Sequence, residues 1–281
     1  MAYPINYIAF SAILWYTLPM SIFKSKITFS HTRSEIPSPK TFTNDHFHNS
    51  YEIYFFLSGD VDYVVNDATY SLQPYDLLLI KSSVYHYPKI LSEKPYERIV
   101  INFTPDAIDE ELHPILYDER VRYRFENDKL VKRLFASLDE IKRSANQKDM
   151  LTFCRFAVNL LLLQTKYAPA DKESPQIIHP TLSKILQYID ENLNHALEVT
   201  TIAKEFYVSP SWVFHIFKKH LQISYKQYVN HRKMLYAHQL VLSGTPPTQA
   251  ALLCGFQEYT TFYRQYKRQF GVSPQEDKET P

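Results

Sequence analysis

Four side chains in the first third of the chain are of the types that bind transition metals or small polar ligands. His46, His48 and Glu52 lie two and four residues apart, and His86 follows further along the chain. On one extended strand the first three would point to the same face, because side chains alternate between the two faces of a strand. Three imidazoles and one carboxylate are a donor set for a divalent metal. The same residues would also serve as a hydrogen-bonded lining for a small polar ligand, or as structural residues at the mouth of a β-barrel.

Strand parity extends this candidate ligand site. Tyr54 shares the face of Glu52, and Asn102 shares the face of Arg98 on a later strand. Arg98 could clamp an anionic or hydroxyl-bearing effector, or pair with an acid such as Asp76. We favour a ligand lining over a metal site at His46, His48, Glu52 and His86, and we expect no cofactor. The candidate effector-binding residues are His46, His48, Glu52, Tyr54, His86, Arg98 and Asn102.

The elements that must position these residues are short strands. Between residues 26 and 105, runs of β-branched and aromatic residues such as 51–57 and 98–103 alternate with turn signals every 8–12 residues. This pattern is typical of a small β-sandwich or barrel.

The pattern changes to helices after Pro105. Residues 128–145 are amphipathic and residues 151–167 are strongly apolar, which indicates a packing or dimerisation element. Residues 168–180 are polar and contain proline, as expected of a linker. Everything beyond them is predicted to be helical as far as about Gly271.

Residues 199–219 have the pattern of a helix-turn-helix unit. The steep crossing of its two helices needs a small residue, which Ala203 provides, and apolar residues follow at the offsets of a small core. Ser209 can cap the second helix, with Pro210 at the first helical position, where a missing N–H costs nothing. The second helix is the one expected to enter the major groove of DNA.

The same pattern recurs at residues 247–269. Ala251 lies at the close approach, and Gly255 provides the turn where a positive φ is easiest. Between the two units, residues 224–243 predict a helix of about 20 residues that is closed by Gly244. Its length of roughly 30 Å is close to one turn of B-DNA, so two recognition helices could enter successive faces of one duplex.

Residues 182–274 resemble the AraC-type DNA-binding domain. The family usually has glycine where Gln222 stands, a smaller turn residue at Tyr207 and a bulkier apolar residue at Thr261. These departures concern the turn geometry and the target sequence. The matching residues are Ile185–Asn192, Ser209-Pro210-Ser211, Phe217-Lys218-Lys219, Tyr228, Lys233, Met234, Ala237, Leu240, Gly255-Phe256, Phe262, Arg264, Lys267-Arg268 and Phe270-Gly271-Val-Ser-Pro274.

Positions on the second helix of each unit make two sets of residues candidates for contact with DNA. Arg264 has the best case for reading a base, because a guanidinium can bond guanine through two hydrogen bonds, although a phosphate contact is an equal alternative. Candidates for base contacts are Ser211, Trp212, Phe214, His215, Glu258, Tyr259, Thr260, Tyr263 and Arg264. Candidates for phosphate contacts are Lys218, Lys219, Lys267 and Arg268.

Residues 26–105 resemble the cupin barrel that commonly precedes the AraC-type domain as an effector-sensing module. The resemblance is carried by the histidine-rich segment at 46–52, Gly59, residues 74–76 and His86, with Tyr75 where the second cupin motif usually has glycine. It implies sensing without catalysis.

Composition and charge agree with these predictions. Four glycines leave no glycine-rich phosphate loop, and two distant cysteines argue for a reducing compartment and against a disulfide scaffold. Residues 175–281 carry 11 basic and 8 acidic residues, against 20 and 22 in the remainder, which permits nucleic-acid binding without establishing it.

An apolar stretch at residues 7–23 contains Pro19 and has no basic residue before it. At this length it is marginal for a membrane span. We expect residues 1–19 to be an upstream extension or a loose segment, in preference to a membrane anchor or a signal peptide.

Together these features predict an α+β protein of two domains. The boundaries are an uncertain N-terminal extension at 1–25, a cupin-like effector-binding barrel at 26–105, a helical dimerisation segment at 106–167, a linker at 168–180 and an AraC-type DNA-binding domain at 181–276. The predicted function is a cytoplasmic, non-enzymatic transcriptional regulator. Its predicted partners are double-stranded DNA, a small-molecule effector such as a carbohydrate, a second copy of the chain and, for an activator, RNA polymerase. The alternative is a metal-dependent cupin enzyme with an appended helical domain.

Overall fold

The computed structural model describes residues 27–37, 48, 50–82, 84–171 and 173–279. The predicted N-terminal extension and His46 lie outside the described residues. Among those that are described, no helix has the length and apolar character needed to cross a membrane.

The strands form two antiparallel sheets. They are β1 (Ile27–Ser34), β2 (Tyr51–Ser58), β3 (Val61–Val65), β4 (Ala68–Ser71), β5 (Asp76–Ile80), β6 (His86–Ile90), β7 (Tyr96–Phe103), β8 (Arg122–Arg124) and β9 (Gln176–Ile177). The first sheet has the order β1-β7-β2-β5-β8, and the second has the order β6-β3-β4-β9. We call the unit formed by β1 to β8 the β-domain.

Both faces of β2 are covered, which explains its almost continuous run of apolar and aromatic residues. Tyr54 and Phe56 point between the two sheets and belong to the inner core. Ile53 and Phe55 point to the other side, where Phe55 stacks on Phe135 with ring centroids 4.0 Å apart. The first sheet therefore lies between the second sheet and a layer of helices.

That layer consists of α1 (Lys129–Ser144) and α2 (Gln147–Thr165). Asp128 caps α1 by accepting hydrogen bonds from the backbone N–H groups of Leu130 and Val131. The second helix begins four residues before its predicted start, because Asn146 caps it and its first turn is polar. The apolar pattern marks only the part of this helix that packs.

The C-terminal residues form the helices α3 (Pro180–Glu191), α4 (Val199–Glu205), α5 (Pro210–His220), α6 (Tyr225–Leu242), α7 (Pro247–Leu253), α8 (Tyr259–Phe270) and α9 (Pro274–Glu279). The predicted α+β class with a helical C-terminal domain is confirmed. The helix-turn-helix pairs are α4–α5, called the first unit, and α7–α8, called the second unit. Each unit has its own buried core.

The two units share one turn geometry. The N–H of Val208 bonds the carbonyl of Ala203 at 2.9 Å, and the N–H of Phe256 bonds the carbonyl of Ala251 at 3.0 Å. The fourth residue after each alanine is left-handed, with φ of 75° at Gly255 but 55° at Tyr207. The first unit therefore keeps a bulky residue in a conformation that suits glycine.

Two other positions where the resembling families use glycine show the same feature. Gln222, just after α5, has φ of 56°, and Tyr75, just before β5, has φ of 73°. The departures at Tyr75, Tyr207 and Gln222 thus fall on left-handed residues of the backbone, whereas Thr261 lies within α8.

We expect Tyr207→Gly to stabilise the protein by about 0.5–1 kcal/mol. Relief of the left-handed strain is worth roughly 1–2 kcal/mol, and the added freedom of the unfolded chain removes up to about 1 kcal/mol of it. The side chain is 97% exposed, so its loss costs almost no packing. Urea unfolding measures the change. Glu205→Gly, in the helix just before the turn, is the matched control and should destabilise by about 1 kcal/mol; equal destabilisation by both would contradict the strain.

Candidate ligand site and nucleic-acid interface

Two buried side chains and one half-buried side chain converge between the two sheets. Glu52 lies on β2, His86 is the first residue of β6, and His48 lies just before β2. The Nε2 atoms of His48 and His86 lie 3.1 Å and 3.6 Å from the same Glu52 carboxylate oxygen. Glu52 is 4% exposed and His86 is 1% exposed. We call these three residues the Glu52 cluster.

The other ring nitrogen of each histidine has a backbone partner. His48 Nδ1 lies 2.8 Å from the carbonyl oxygen of Ser50, and His86 Nδ1 lies 2.7 Å from that of Val84. A carbonyl oxygen only accepts, so both Nδ1 atoms carry the hydrogen of these bonds. The geometry therefore aims both Nε2 atoms at Glu52.

In the Glu52 cluster, the combined interactions between the carboxylate and its neighbours shift the pKa values of Glu52 and His86 more than burial does. Burial raises the pKa of Glu52, but the facing rings of His86 and His48 hold this pKa well below its ordinary value. Burial lowers the pKa of His86, but Glu52 and the carbonyl of Val84 together raise it above its ordinary value. The site favours a carboxylate facing positive charge.

The other predicted effector residues lie on the strands that neighbour Glu52 or share its strand. Asn102 lies opposite Glu52 in the register of β2 and β7, and Arg98 lies opposite Phe56. The Tyr54 hydroxyl hydrogen bonds that of Tyr96.

Arg98 and Asp76, which the sequence offered as a possible ion pair, lie against different partners. Its guanidinium carbon lies 4.6 Å from the centre of the Tyr96 ring. Asp76 is instead 3.3 Å from the guanidinium of Arg124 on the neighbouring strand β8.

Tyr63 and Tyr96 are lining residues that the sequence reasoning missed. Tyr63 is 3% exposed, and its hydroxyl donates to a Glu52 oxygen at 3.4 Å. Burial raises the pKa of Tyr63 well above its ordinary value, and the charge of Glu52 adds to the shift, so the phenol stays protonated as a donor. The alternation of β3, with Val61 and Val65 on the same face, was the signal that could have found Tyr63.

The strand that carries His86 also contacts the DNA-binding domain. Tyr87, the next residue, points away from the inner core, and its hydroxyl donates to the carbonyl of His220 at 2.9 Å. Tyr85, the preceding residue, is fully buried in the core of the first unit. Residues one position away from the Glu52 cluster therefore form part of the helix-turn-helix core.

Residues 168–180, predicted to be a linker, lie largely against the β-domain. Within them β9 pairs with β4, placing Gln176 opposite Thr69. Buried Arg122 holds Asp171 at 2.7 Å. The DNA-binding domain thus follows a segment that is bonded to the β-domain.

The first unit has the cap and core that its sequence predicts. Ser209 accepts a hydrogen bond from the N–H of Trp212 at 3.1 Å, and Ala203 is buried at the close approach. Ser211 and the other candidates on α5 are exposed, with one exception. Trp212 is half-buried and meets the ring of His179 edge to face at 5.4 Å. The exposed base-contact and phosphate candidates of this unit are Ser211, Phe214, His215, Lys218 and Lys219.

The second unit presents more charge. Arg264 is exposed and bonds only within its helix, from Nε to the carbonyl of Thr260 at 3.3 Å. Tyr259 and Tyr263 form a ring pair with centroids 6.4 Å apart on the same helix. Tyr263 is half-buried, and the other exposed candidates of this unit are Glu258, Tyr259, Thr260, Lys267 and Arg268.

The Glu52 cluster and the exposed faces of α5 and α8 suit different kinds of ligand. The Glu52 cluster can hold a small cation or polar ligand, because it combines a carboxylate, two imidazoles and a phenol away from bulk water. The exposed faces of α5 and α8 offer donors, aromatic rings and cations of the kind that meet base edges and phosphates.

Two families of known proteins match the chain over these two regions. Residues 29–153 match the family described as an AraC-like ligand binding domain, and residues 202–280 match the family described as a helix-turn-helix domain.

The chain is also similar to individual known proteins. The chain is 32% identical to the uncharacterized HTH-type transcriptional regulator YijO of Escherichia coli, over 33% of this chain and a third of that protein's length. It is 21% identical to the melibiose operon regulatory protein of Escherichia coli, over 92% of this chain and 90% of that protein. The solved structure of ToxT from Vibrio cholerae is 15% identical, covers 90% of this chain and 98% of its own, and aligns with a TM-score of 0.36.

The class defined by fold and sites is a DNA-binding protein with an attached ligand-binding domain. The chain belongs to the AraC-type transcriptional regulators, with the ligand-binding domain first and the helix-turn-helix domain second.

We expect Arg264→Ala to weaken binding to the cognate promoter by about 1–3 kcal/mol and to relax specificity at one base pair, because the guanidinium is free to reach a base edge. Titration of promoter DNA by fluorescence anisotropy, with single base-pair variants, measures both effects. Lys184→Ala removes an exposed charge outside both units and is the control, with unchanged affinity. A loss that is equal for every DNA sequence would reassign Arg264 to a phosphate.

Proposed function

We propose that this regulator binds one face of its promoter with α5 and α8 together. The observation that carries the proposal is the repeated turn geometry of the two units, separated by α6. An 18-residue helix is about 27 Å long, which is comparable to the roughly 34 Å between successive major grooves. The exposed candidates on α5 and α8 read bases, and the basic residues in the last turn of each helix contact phosphates.

The effector of this proposal binds between the two sheets. The lining is polar, with Glu52, Arg98, Asn102 and the buried hydroxyls of Tyr54 and Tyr63, and such groups suit a ligand rich in hydroxyls. A carbohydrate is consistent with the name of the melibiose operon relative. Enzymatic turnover is not part of the proposal, because the two matched families are a ligand-binding domain and a helix-turn-helix domain. Since its target is promoter DNA, we place the protein in the cytoplasm.

Occupancy of this site reaches the DNA-binding domain through β6. His86 lies in the Glu52 cluster, while Tyr85 and Tyr87 on either side of it contact the first unit. A ligand that moves β6 changes the packing of α5, and so favours one arrangement of the first unit over another.

We further propose that the regulator is a homodimer joined through α2. Phe153, Phe156, Leu160 and Leu163 follow the alternating three- and four-residue spacing of a coiled-coil seam. Phe153, Phe156 and Leu163 are 44%, 67% and 38% exposed, although this face of a helix would normally be polar. A second copy covers the seam and presents a second pair of units to the DNA. An activator of this form also meets RNA polymerase at the promoter.

We expect Tyr85→Ala to uncouple the unfolding of the β-domain from that of the first unit. The ring is fully buried between them, and loss of a buried aromatic ring costs about 3–5 kcal/mol. Calorimetry should show one transition in the wild type and two in the variant. Tyr117→Ala, at a side chain 75% exposed, is the control and keeps one transition. Unchanged cooperativity in Tyr85→Ala would contradict transmission through β6.

We expect Phe156→Glu to raise the dimer dissociation constant at least about 100-fold, because a charge would have to be buried in each half of the seam. Sedimentation velocity over a range of concentrations measures the association. Ser137→Glu adds the same charge on the exposed face of α1 and should leave the constant unchanged. If both variants associate like the wild type, the seam is not the interface.

A further inference from the structure

One side of α5 lies next to the helix face that is buried in the core of the first unit. Trp212, His215 and Lys219 share this side, because they are three and four residues apart on the helix. We call it the flank of α5. The major groove is about 12 Å wide and an α-helix with its side chains nearly fills it, so a helix in the groove has a phosphate backbone beside its flank.

Two other parts of the chain come up to this flank. The ring of His179, in the segment that follows the β-domain, meets that of Trp212 edge to face at 5.4 Å and lies 6.2 Å from the ring of His220. The Tyr87 hydroxyl of β6 donates to the carbonyl of His220 at 2.9 Å. The β-domain therefore lies beside the C-terminal end of α5, where the phosphate candidates of the first unit are.

Lys89 brings a positive charge of the β-domain to this end of α5. Residues two apart on a strand point to the same side, so Lys89 points with Tyr87 towards the first unit. Lys89 is exposed and forms no ion pair with any residue that the structure describes. Asp62 lies opposite it on β3, but the Asp62 carboxylate accepts a hydrogen bond from the Ser71 hydroxyl at 2.7 Å.

The junction of β6, α5 and the segment between the domains concentrates positive groups. Burial lowers the pKa of His220, and the positive groups around it lower this pKa further; they are Lys219, His179, His215 and Lys89. Groups of one sign at such short range repel one another, and an anion placed across them relieves the repulsion. A cluster of this kind, on the surface beside a recognition helix, suits a polyanion.

We infer that Lys89 contacts a phosphate of the promoter beside α5, so that the DNA-binding surface continues from the first unit onto the β-domain. The partner is the sugar–phosphate backbone, because an ammonium group acts as a point charge and phosphate contacts carry no base sequence. The inference rests on the proposed docking of α5 in the major groove. It adds a DNA contact that the ligand-binding domain itself makes.

The salt dependence of DNA binding by the full-length chain tests this contact. A contact with one phosphate contributes about 0.9 to the slope of log K against log salt concentration, through the release of counterions. We expect Lys89→Ala to lower the slope by that amount and to weaken binding roughly 5- to 10-fold at about 0.1 M salt. The loss should be equal for the promoter and for an unrelated duplex of the same length. Fluorescence anisotropy over a series of salt concentrations measures both quantities.

Two variants serve as controls for the charge. Lys129→Ala removes the same charge from the exposed first residue of α1, on the other side of the first sheet, and should leave the slope and the affinity unchanged. Lys89→Arg keeps the charge and should keep the slope. Circular dichroism establishes that each variant is folded, as expected for changes at exposed side chains.

A second measurement locates the contact on the DNA. Single phosphates around the binding site are replaced in turn by uncharged methylphosphonates. We expect one position to weaken binding of the wild type and to have no effect on Lys89→Ala, because the contact is already lost in that variant. Lys267→Ala, which removes an exposed charge of the second unit, should remain sensitive at that position.

The outcomes separate this inference from the proposed function. An unchanged slope in Lys89→Ala overturns the inference, and so does weaker binding at an unchanged slope, which would make the effect of Lys89 indirect. Neither result affects the reading of bases by α5 and α8. A wild-type chain that binds every DNA sequence equally well contradicts the proposed function, while the slope still decides whether Lys89 contacts a phosphate.

Discussion

The alternation of side chains around the start of β6 is the constraint on which the rest of this protein depends. Successive residues of an extended chain point to opposite sides, so His86 must point into the β-domain if Tyr85 and Tyr87 point out of it. Inside, His86 faces a buried carboxylate, and outside, the two tyrosines contact the first unit. In the proposed transmission no intervening helix or loop is needed between sensing and response, because both groups of side chains are attached to the same few backbone atoms.

This arrangement makes the two helix-turn-helix units unequal. The first unit contacts the β-domain through the carbonyl of His220, and at the other end of α5 Trp212 contacts His179 of the segment that follows the β-domain. It also keeps a left-handed tyrosine in its turn. The second unit has glycine at the equivalent turn and the exposed Arg264 on its reading helix. The second unit is therefore suited to constant anchoring on DNA, and the first is the one whose placement the β-domain can alter.

The sequence predicts the DNA-binding domain better than the β-domain. Helix-turn-helix units are local: caps such as Ser209, small residues such as Ala203 and turn glycines such as Gly255 lie within one stretch of about 20 residues. The inner lining of the β-domain needs register between distant strands. Parity placed Glu52 and Tyr54 on one face, and the pairing of β2 with β7 set Asn102 opposite Glu52.

The alternation of side chains could not predict the strand β6. Its sequence, His-Tyr-Pro-Lys-Ile, contains a proline, and proline argues against a strand inside a sheet. The strand lies at the edge of the second sheet, where Pro88 needs no second partner strand. The sequence therefore identified His86 only as an isolated polar residue. Nothing in the sequence indicated that the tyrosines on either side of it contact the DNA-binding domain. Long-range packing between domains leaves no periodicity in a single sequence.

The size of the domain contact limits how strongly a ligand can act. The rings of Tyr85 and Tyr87 and one hydrogen bond to a backbone carbonyl join the start of β6 to the first unit, and a ligand can shift the equilibrium only by the difference it makes to such contacts. Typical coupling between two sites is about 1–3 kcal/mol, well within what this contact can carry. That range changes promoter occupancy substantially while leaving the second unit bound. A larger coupling would require a contact large enough to lock the domains together, and the regulator would then lose its response to the ligand.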